Sequence, residues 1–229
     1  MIGFYDYTVV LTYLSLLSAT TGIVISLAGP GHPYIGMFFL LFCGLCDAFD
    51  GRVARRKKNR SPEECYFGVQ IDSLSDLVAF GVLPACIGSA MLRSSPLMQQ
   101  LGEVYGWPMR KAFTYVFTAI LVLYTLAALI RLAYFNVMEQ KRMETEGGVR
   151  TFYTGLPVTS SSLIFPLVLL VQYITPVDVT PMYFATAIVT GFAFLSKFRI
   201  RKPGLRGILI MIGIGAIEFL FMLLGRLLK

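Results

Sequence analysis

The sequence predicts an all-α fold, a polytopic bundle of membrane helices, on three observations. Hydrophobic residues make up 56% of the 229 and charged residues only 14%, with a mean hydropathy of +0.70; soluble domains average about a quarter charged. The apolar residues gather into runs long enough to cross a hydrocarbon core of ~30 Å, for which about 20 helical residues suffice. The connections between runs are short. Residues 1–229 therefore read as a single integral membrane domain.

Seven apolar runs stand near 8–28, 35–55, 68–92, 112–137, 157–174, 180–196 and 206–226. No Lys or Arg precedes the first, and it is too long for a signal-peptide core, so it is expected to stay as a membrane helix. The polar hairpin 56–67 joins the second and third, making them antiparallel neighbours. The mixed stretch 93–111 ahead of the fourth leaves a count of six to eight helices open. The fifth begins among hydroxyls at Thr159, Ser160, Ser161 and Ser162. In the last, Glu218 is expected to serve structure, through a polar neighbour or a subunit contact.

Cations orient the bundle. Arg52, Arg55, Arg56, Lys57, Lys58 and Arg60 follow the second run. Lys141, Arg142 and Arg150 follow the fourth, and Lys197, Arg199, Arg201, Lys202 and Arg206 follow the sixth. Those fourteen face five on the other side, Arg93, Arg110, Lys111, Arg226 and Lys229. The positive side is cytoplasmic, which places the amino terminus there too. The net charge of +7 thus reads as topology and attraction to anionic headgroups rather than nucleic-acid binding.

Cys43, Cys46, Cys65 and Cys86 make no disulfide framework, and the Cys43/Cys46 pair lies inside an apolar helix as small packing residues. The single His32 sits in an outside turn, which excludes a histidine-based zinc site.

The chemistry is concentrated where acids interrupt the second and third runs. The pattern is Asp47-x2-Asp50-Gly51-x2-Ala54-Arg55, twelve residues, then Gly68-x3-Asp72-x3-Asp76. An aspartate at mid-helix costs about 2.5–3.5 kcal/mol on insertion, so a functional role is the default reading. Residues three and four apart share a helix face. Asp47, Asp50, Gly51 and Ala54 form one stripe; Gly68, Asp72 and Asp76 form another that can face it. Four carboxylates in a low-dielectric cleft need a cationic counter-charge. An all-oxygen set favours hard divalent ions such as Mg²⁺ or Mn²⁺, and a pair ~3.5–4 Å apart is a standard clamp for displacement at phosphorus. Gly51, Ala54 and Gly68 leave room for a bulky ligand, and Arg55 is placed to meet phosphate oxygens. Helix packing by small residues explains the glycines and alanine, but not four regularly spaced acids.

These residues resemble the signature of the CDP-alcohol phosphotransferases, with every fixed position met. The resemblance implies a six-helix membrane core, here with about one extra C-terminal helix, commonly assembled as a homodimer. It implies transfer of a phosphatidyl-type group from a CDP-linked donor to an alcohol, with release of CMP. By the same resemblance Asp47, Asp50, Asp72 and Asp76 hold two divalent cations, Mn²⁺ or Mg²⁺, and Asp76 is also the general base. Gly51, Ala54, Arg55 and Gly68 line the CDP site. Thr12 and Ser15 resemble a polar pair that helps hold the donor, although Ser15 stands where Asn is common.

The twelve-residue spacer resembles that of the phosphatidylserine synthase branch. So do the blocks Ile130-Arg131-Leu132-Ala133-Tyr134-Phe135-Asn136 and Phe152-Tyr153-Thr154-Gly155-Leu156-Pro157-Val158-Thr159-Ser160-Ser161. The implied substrates are CDP-diacylglycerol and L-serine. Other acceptors remain open: glycerol 3-phosphate, an inositol phosphate or choline. Arg131 needs a partner inside the membrane, which is the serine carboxylate or lipid phosphate, or else a motif Asp or helix-end carbonyls. Asn136 closes the same block. Thr159 and Ser160 are acceptor candidates, against the alternative of interhelical glue. A divalent-cation transporter is the rival from another class, but such sites lie near the midplane in broken helices. Here the acids lie towards one end.

Overall fold

The structure, a computed structural model, describes residues 3–29, 32–57, 59–145, 152–175, 177–201 and 205–227. It is helical almost throughout: α1 (Val10–Leu27), α2 (Pro33–Arg56), α3 (Pro62–Asp76), a π-helical segment (Leu77–Val82), α4 (Leu83–Ser94), α5 (Pro96–Thr145), α6 (Ser161–Ile174), α7 (Thr180–Leu195) and α8 (Leu205–Leu227). Each of the seven apolar runs lands on helix. Four stretches are long and apolar enough to cross a membrane: Val10–Leu27, Pro33–Ala54, Pro62–Ser94 and Pro96–Lys141. Three shorter apolar helices, Val158–Gln172, Thr180–Leu195 and Leu209–Phe221, accompany them. Much of the outer surface is apolar, as at Leu17, Val189 and Phe192, which suits a lipid-facing exterior. Of the cations used for orientation, Lys58, Arg150, Lys202 and Lys229 and the side chains of Arg55, Arg142, Arg201, Arg206 and Arg226 lie outside what is described.

The expected hairpin 56–67 is mostly helix. The chain turns within a few residues after Arg56, and α3 starts at Pro62, six residues before the apolar run. A capping box explains the early start. Glu64 N–H donates to Ser61 Oγ at 3.2 Å, and Ser61 N–H donates to Glu64 Oε2 at 3.1 Å. Pro62 then occupies the first turn, where its missing N–H costs nothing. Lys57 clamps this turn to the amino-terminal segment, 2.5 Å from Asp6 Oδ2 and 3.1 Å from Glu64 Oε1.

The third run is not a regular helix either. Pro84 has no N–H for the Phe80 carbonyl, and its ring would crowd that carbonyl in an α-helix. The backbone widens here, with Leu83 N–H reaching Val78 O, five residues back. The Phe80 carbonyl accepts instead from Tyr124 Oη at 2.7 Å and Ser161 Oγ at 3.3 Å, and Gly81 O accepts from Thr125 Oγ1 at 3.2 Å. The wide segment is thereby pinned to α5 and α6.

The run 112–137 lies within the much longer α5, which also contains the mixed stretch 96–111. A bend at Gly106 (φ +81°) divides it. The arm before the bend folds back on the bundle, burying Met98 in a cluster with Leu92, Leu121 and Phe184. Asp178 Oδ2 holds the arm's start, accepting from Ser95 Oγ at 2.5 Å and from Leu97 N–H at 3.1 Å.

Close packing of α1 against α2 rests on a stripe of small residues, including Ser15, Ala19, Gly22 and Ser26. A Cβ on Gly22 would lie 2.8 Å from Phe39 Cβ. The main core, with Leu40, Phe80, Leu83, Phe165 and Tyr183, fills the space between α2, α4, α6 and α7. Beside this all-α architecture two three-residue strands pair antiparallel, β1 (Phe152–Thr154) with β2 (Arg199–Arg201). They tie the approach to α6 to the exit of α7. Gly155 follows at φ +75°, where a Cβ would sit 2.7 Å from Ser196 O.

Candidate active site

The two acid stripes meet. One carboxylate oxygen each from Asp47, Asp50 and Asp72 lies within 4.8 Å of the others. Asp47 and Asp50 sit one turn apart near the end of α2, and Asp72 faces them from α3. Asp50 and Asp72 are in side-chain hydrogen-bonding contact. Two carboxyls at that range need a proton or a cation between them. A cluster of three carboxylates matches the oxygen donors that hard cations select, so these residues form a site able to hold a metal ion. Asp76, the last residue of α3, stands outside that group but interacts electrostatically with Asp47, Asp72 and Asp50. It is 9% exposed, and Asp50 is 8% exposed.

Neighbouring helices hold the acids in place. Ser75 Oγ, beside Asp76, donates to Thr12 O at 3.2 Å. Asn136 Nδ2 donates to Ser73 Oγ, beside Asp72, at 2.7 Å. Thr12 and Asn136, both singled out from the sequence, thus brace the acid-bearing turn from α1 and α5. Ser15 is buried at 3% exposure. Its carbonyl accepts from Cys43 Sγ at 3.3 Å, while its Oγ has no hydrogen-bond partner among the described residues. The cysteines are free thiols, with Cys43 and Cys46 buried as expected.

Gly51 and Ala54 are partly exposed on α2. Gly68 clears space as expected, but that space holds Arg60. The Arg60 Nη2 lies 2.7 Å from where a Gly68 Cβ would stand and donates to Glu64 O at 2.9 Å. Arg60 counted in the sequence only as a topological charge. Arg55 is in the last turn of α2, and its side chain lies outside what is described.

Thr159 and Ser160, on a 3₁₀ turn before α6, line a cavity of about 600 Å³ together with Asp47, Gly51 and Arg52. Their neighbours act as glue. Ser161 Oγ bonds Val158 O at 2.6 Å as well as Phe80 O, and Ser162 Oγ bonds Thr159 O at 2.7 Å. The close approach of α6 depends on Gly44, where a Cβ would meet Ser162 Oγ at 2.3 Å. Arg131 is buried at 5% exposure, its Nε donating to Leu156 O at 3.1 Å and its guanidinium 5.5 Å from the Phe135 ring centroid. The partner of Nε is thus a backbone carbonyl, in the loop between β1 and the 3₁₀ turn rather than at a helix end. Arg52 counted in the sequence only as an orienting charge because it fills a variable position inside the motif. Its signal was its place one residue beyond Gly51.

Comparison with known proteins agrees with this geometry. The chain is 32% identical over 159 residues to a CDP-diacylglycerol–serine O-phosphatidyltransferase of Saccharomyces cerevisiae, covering 65% of this chain and 49% of that protein. A protein of the same name from Mycobacterium bovis is 28% identical over 166 residues, 71% of this chain and 49% of its own length. An archaetidylserine synthase of Methanothermobacter thermautotrophicus is 32% identical over 146 residues, 63% of this chain and 51% of its own. The chain thus spans about half the length of these curated relatives. No solved structure matches it. The profile of the CDP-alcohol phosphatidyltransferases matches residues 8–196, which take in both acid stripes and the helices that brace them, and the chain belongs to that family.

Proposed function

We propose that the protein transfers the phosphatidyl group of CDP-diacylglycerol to the hydroxyl of L-serine, giving phosphatidylserine and CMP. The observation that carries this reading is the convergence of Asp47, Asp50 and Asp72, with Asp76 beside them, where Asp47 also lines the cavity bordered by Thr159 and Ser160. The names of the similar proteins support serine as the acceptor.

Asp76 takes the proton from the serine hydroxyl as its oxygen attacks the β-phosphorus, the one bearing the lipid, and the bond to CMP breaks. Asp47, Asp50, Asp72 and Asp76 would hold two divalent cations, Mn²⁺ or Mg²⁺, which when bound supply positive charge against the pyrophosphate. Gly51 and Ala54 give the cytidine room, Gly68 borders the same site with the Arg60 guanidinium over it, and Arg55 meets phosphate. Thr12 and Ser15 border the donor, while Arg131, Asn136, Thr159 and Ser160 shape the acceptor side. Residues 1–229 act as one membrane domain. It works as a homodimer in the cell membrane, with the amino terminus and the site facing the cytoplasm; the charge asymmetry supports that orientation.

The test is CMP release by the purified protein with CDP-diacylglycerol, Mn²⁺ and a panel of alcohols, beside Asp76→Asn. Serine-dependent release that falls by about 10²–10⁴ in the variant is expected for loss of a general base. Release with glycerol 3-phosphate or an inositol phosphate alone would replace the acceptor. No release with any alcohol would sink the reading.

A further inference from the structure

We propose that the cavity between α2, α6 and α8 seats one acyl chain of the lipid donor, and that Phe38 and Phe219 at its inner end limit the chain length accepted. The inference rests on the phosphatidyl-donor reading and adds a specificity determinant to it.

The cavity has two chemistries along its length. Asp47, Gly51, Arg52, Thr159 and Ser160 make a polar mouth, while Phe42, Leu45, Leu163, Met211 and Ile212 make an apolar body. A ligand matching that division has a charged head and a hydrocarbon tail. Asp47 belongs both to this mouth and to the acid cluster, so the head belonging there carries phosphates. From Gly51 to Phe38 the lining of α2 runs thirteen residue steps, or ~20 Å at 1.5 Å per step. That is comparable to one leaflet of hydrocarbon, ~15 Å.

Phe38 and Phe219 meet edge to face at the far end, with centroids 5.1 Å apart and planes at 82°. Gly215, one turn nearer the mouth, keeps the passage open. A Cβ there would lie 3.3 Å from Leu163 and 3.8 Å from Leu41, so α8 already touches both other walls. Met211, Ile212, Gly215, Ala216 and Phe219 all come from α8, beyond the residues 8–196 that match the family. One wall is therefore supplied by a helix outside the stretch that matches the family.

Binding of CDP-dioleoylglycerol and CDP-dioctanoylglycerol to detergent-purified protein, read by native mass spectrometry, tests this independently of turnover. A buried methylene contributes roughly a factor of four to binding, so the wild type is expected to favour the long-chain donor by well over tenfold. Gly215→Phe should erase that preference while short-chain binding persists. Phe219→Ala should extend the preference to still longer chains, which guards against misfolding of the first variant. Chain-length preferences unchanged in both variants would overturn the proposal. So would an equal, Gly215-dependent gain for phosphatidylcholine, which would assign the cavity to bulk lipid, or failure of both donors to bind the wild type. CMP release measured in parallel reports on the proposed reaction separately: the binding pattern without release would uphold the acyl seat and remove the transferase reading.

Discussion

At the scale of single residues, carboxylates spaced three and four apart can share a helix face, and that much was legible. Which three of the four come within 4.8 Å was not, because it depends on the crossing of α2 and α3. Replacing Asp50 or Asp72 with Asn should weaken Mn²⁺ binding by more than the roughly 10–100-fold lost when an outer-shell partner is removed. Titration followed by electron paramagnetic resonance reads this without turnover, and unchanged Mn²⁺ affinity would rule out these two as ligands. Gly44 was not legible at all. Only contact with α6 shows that a Cβ there collides with Ser162, and Gly44→Ala should cost about 1–3 kcal/mol through overpacking. Thermal unfolding should show the loss, and adding Ser162→Gly should recover it. Arg60 was hidden for a similar reason: a hairpin cation looks solvated until the turn folds it over Gly68.

At the scale of elements, the apolar runs located the apolar helices among the described residues but misjudged their ends. Polar residues begin α3 six positions ahead of its apolar run, because the Ser61–Glu64 capping box supplies hydrogen bonds that hydrophobicity does not register. That signal was present in the sequence as Ser-x-x-Glu. The π segment was readable only in part. Pro84 announces a disturbance, but whether the helix kinks or widens depends on Tyr124 and Ser161, which satisfy the Phe80 carbonyl from other helices. Glu218, expected to serve structure through a polar neighbour or a subunit contact, is buried at 2% exposure, and its Oε2 has no hydrogen-bond partner among the described residues. An unsatisfied buried polar group costs about 1–3 kcal/mol. Glu218→Leu should therefore raise the thermal midpoint of the detergent-solubilised protein. A lower midpoint would instead indicate the subunit contact.

At the scale of the whole molecule, the amino-terminal segment is fastened across the turn that joins the acid-bearing helices. The hydrogen bond from Lys57, followed by that from Thr8, lowers the Asp6 carboxyl from an ordinary 3.8 to about 2. A carboxyl held below its unfolded value contributes stability that is complete above that value and is lost as pH falls through the folded one. The window here is about pH 4 down to 2. Solvent screening keeps the effect small, since both partners are about a quarter exposed. Asp6→Asn should unfold at a lower temperature than the wild type at pH 5 to 7, and the two melting curves should converge by pH 2. A difference that persists at pH 2 would mean that the fastening is not the ion pair.

The sequence by itself determined the class of the fold, the apolar segments that become helices, and the acids, glycines and alanine of the motif. Those properties follow from hydropathy and helical spacing, which are local. Only the tertiary structure decided which acids cluster, that Asn136 and Thr12 brace them, that Arg60 lies over Gly68, and that α8 walls the cavity beside the site. Each of those depends on where one helix crosses another. The crossings are set by close contacts at small residues such as Gly22 and Gly44, whose consequences appear only when the partner helix is in place.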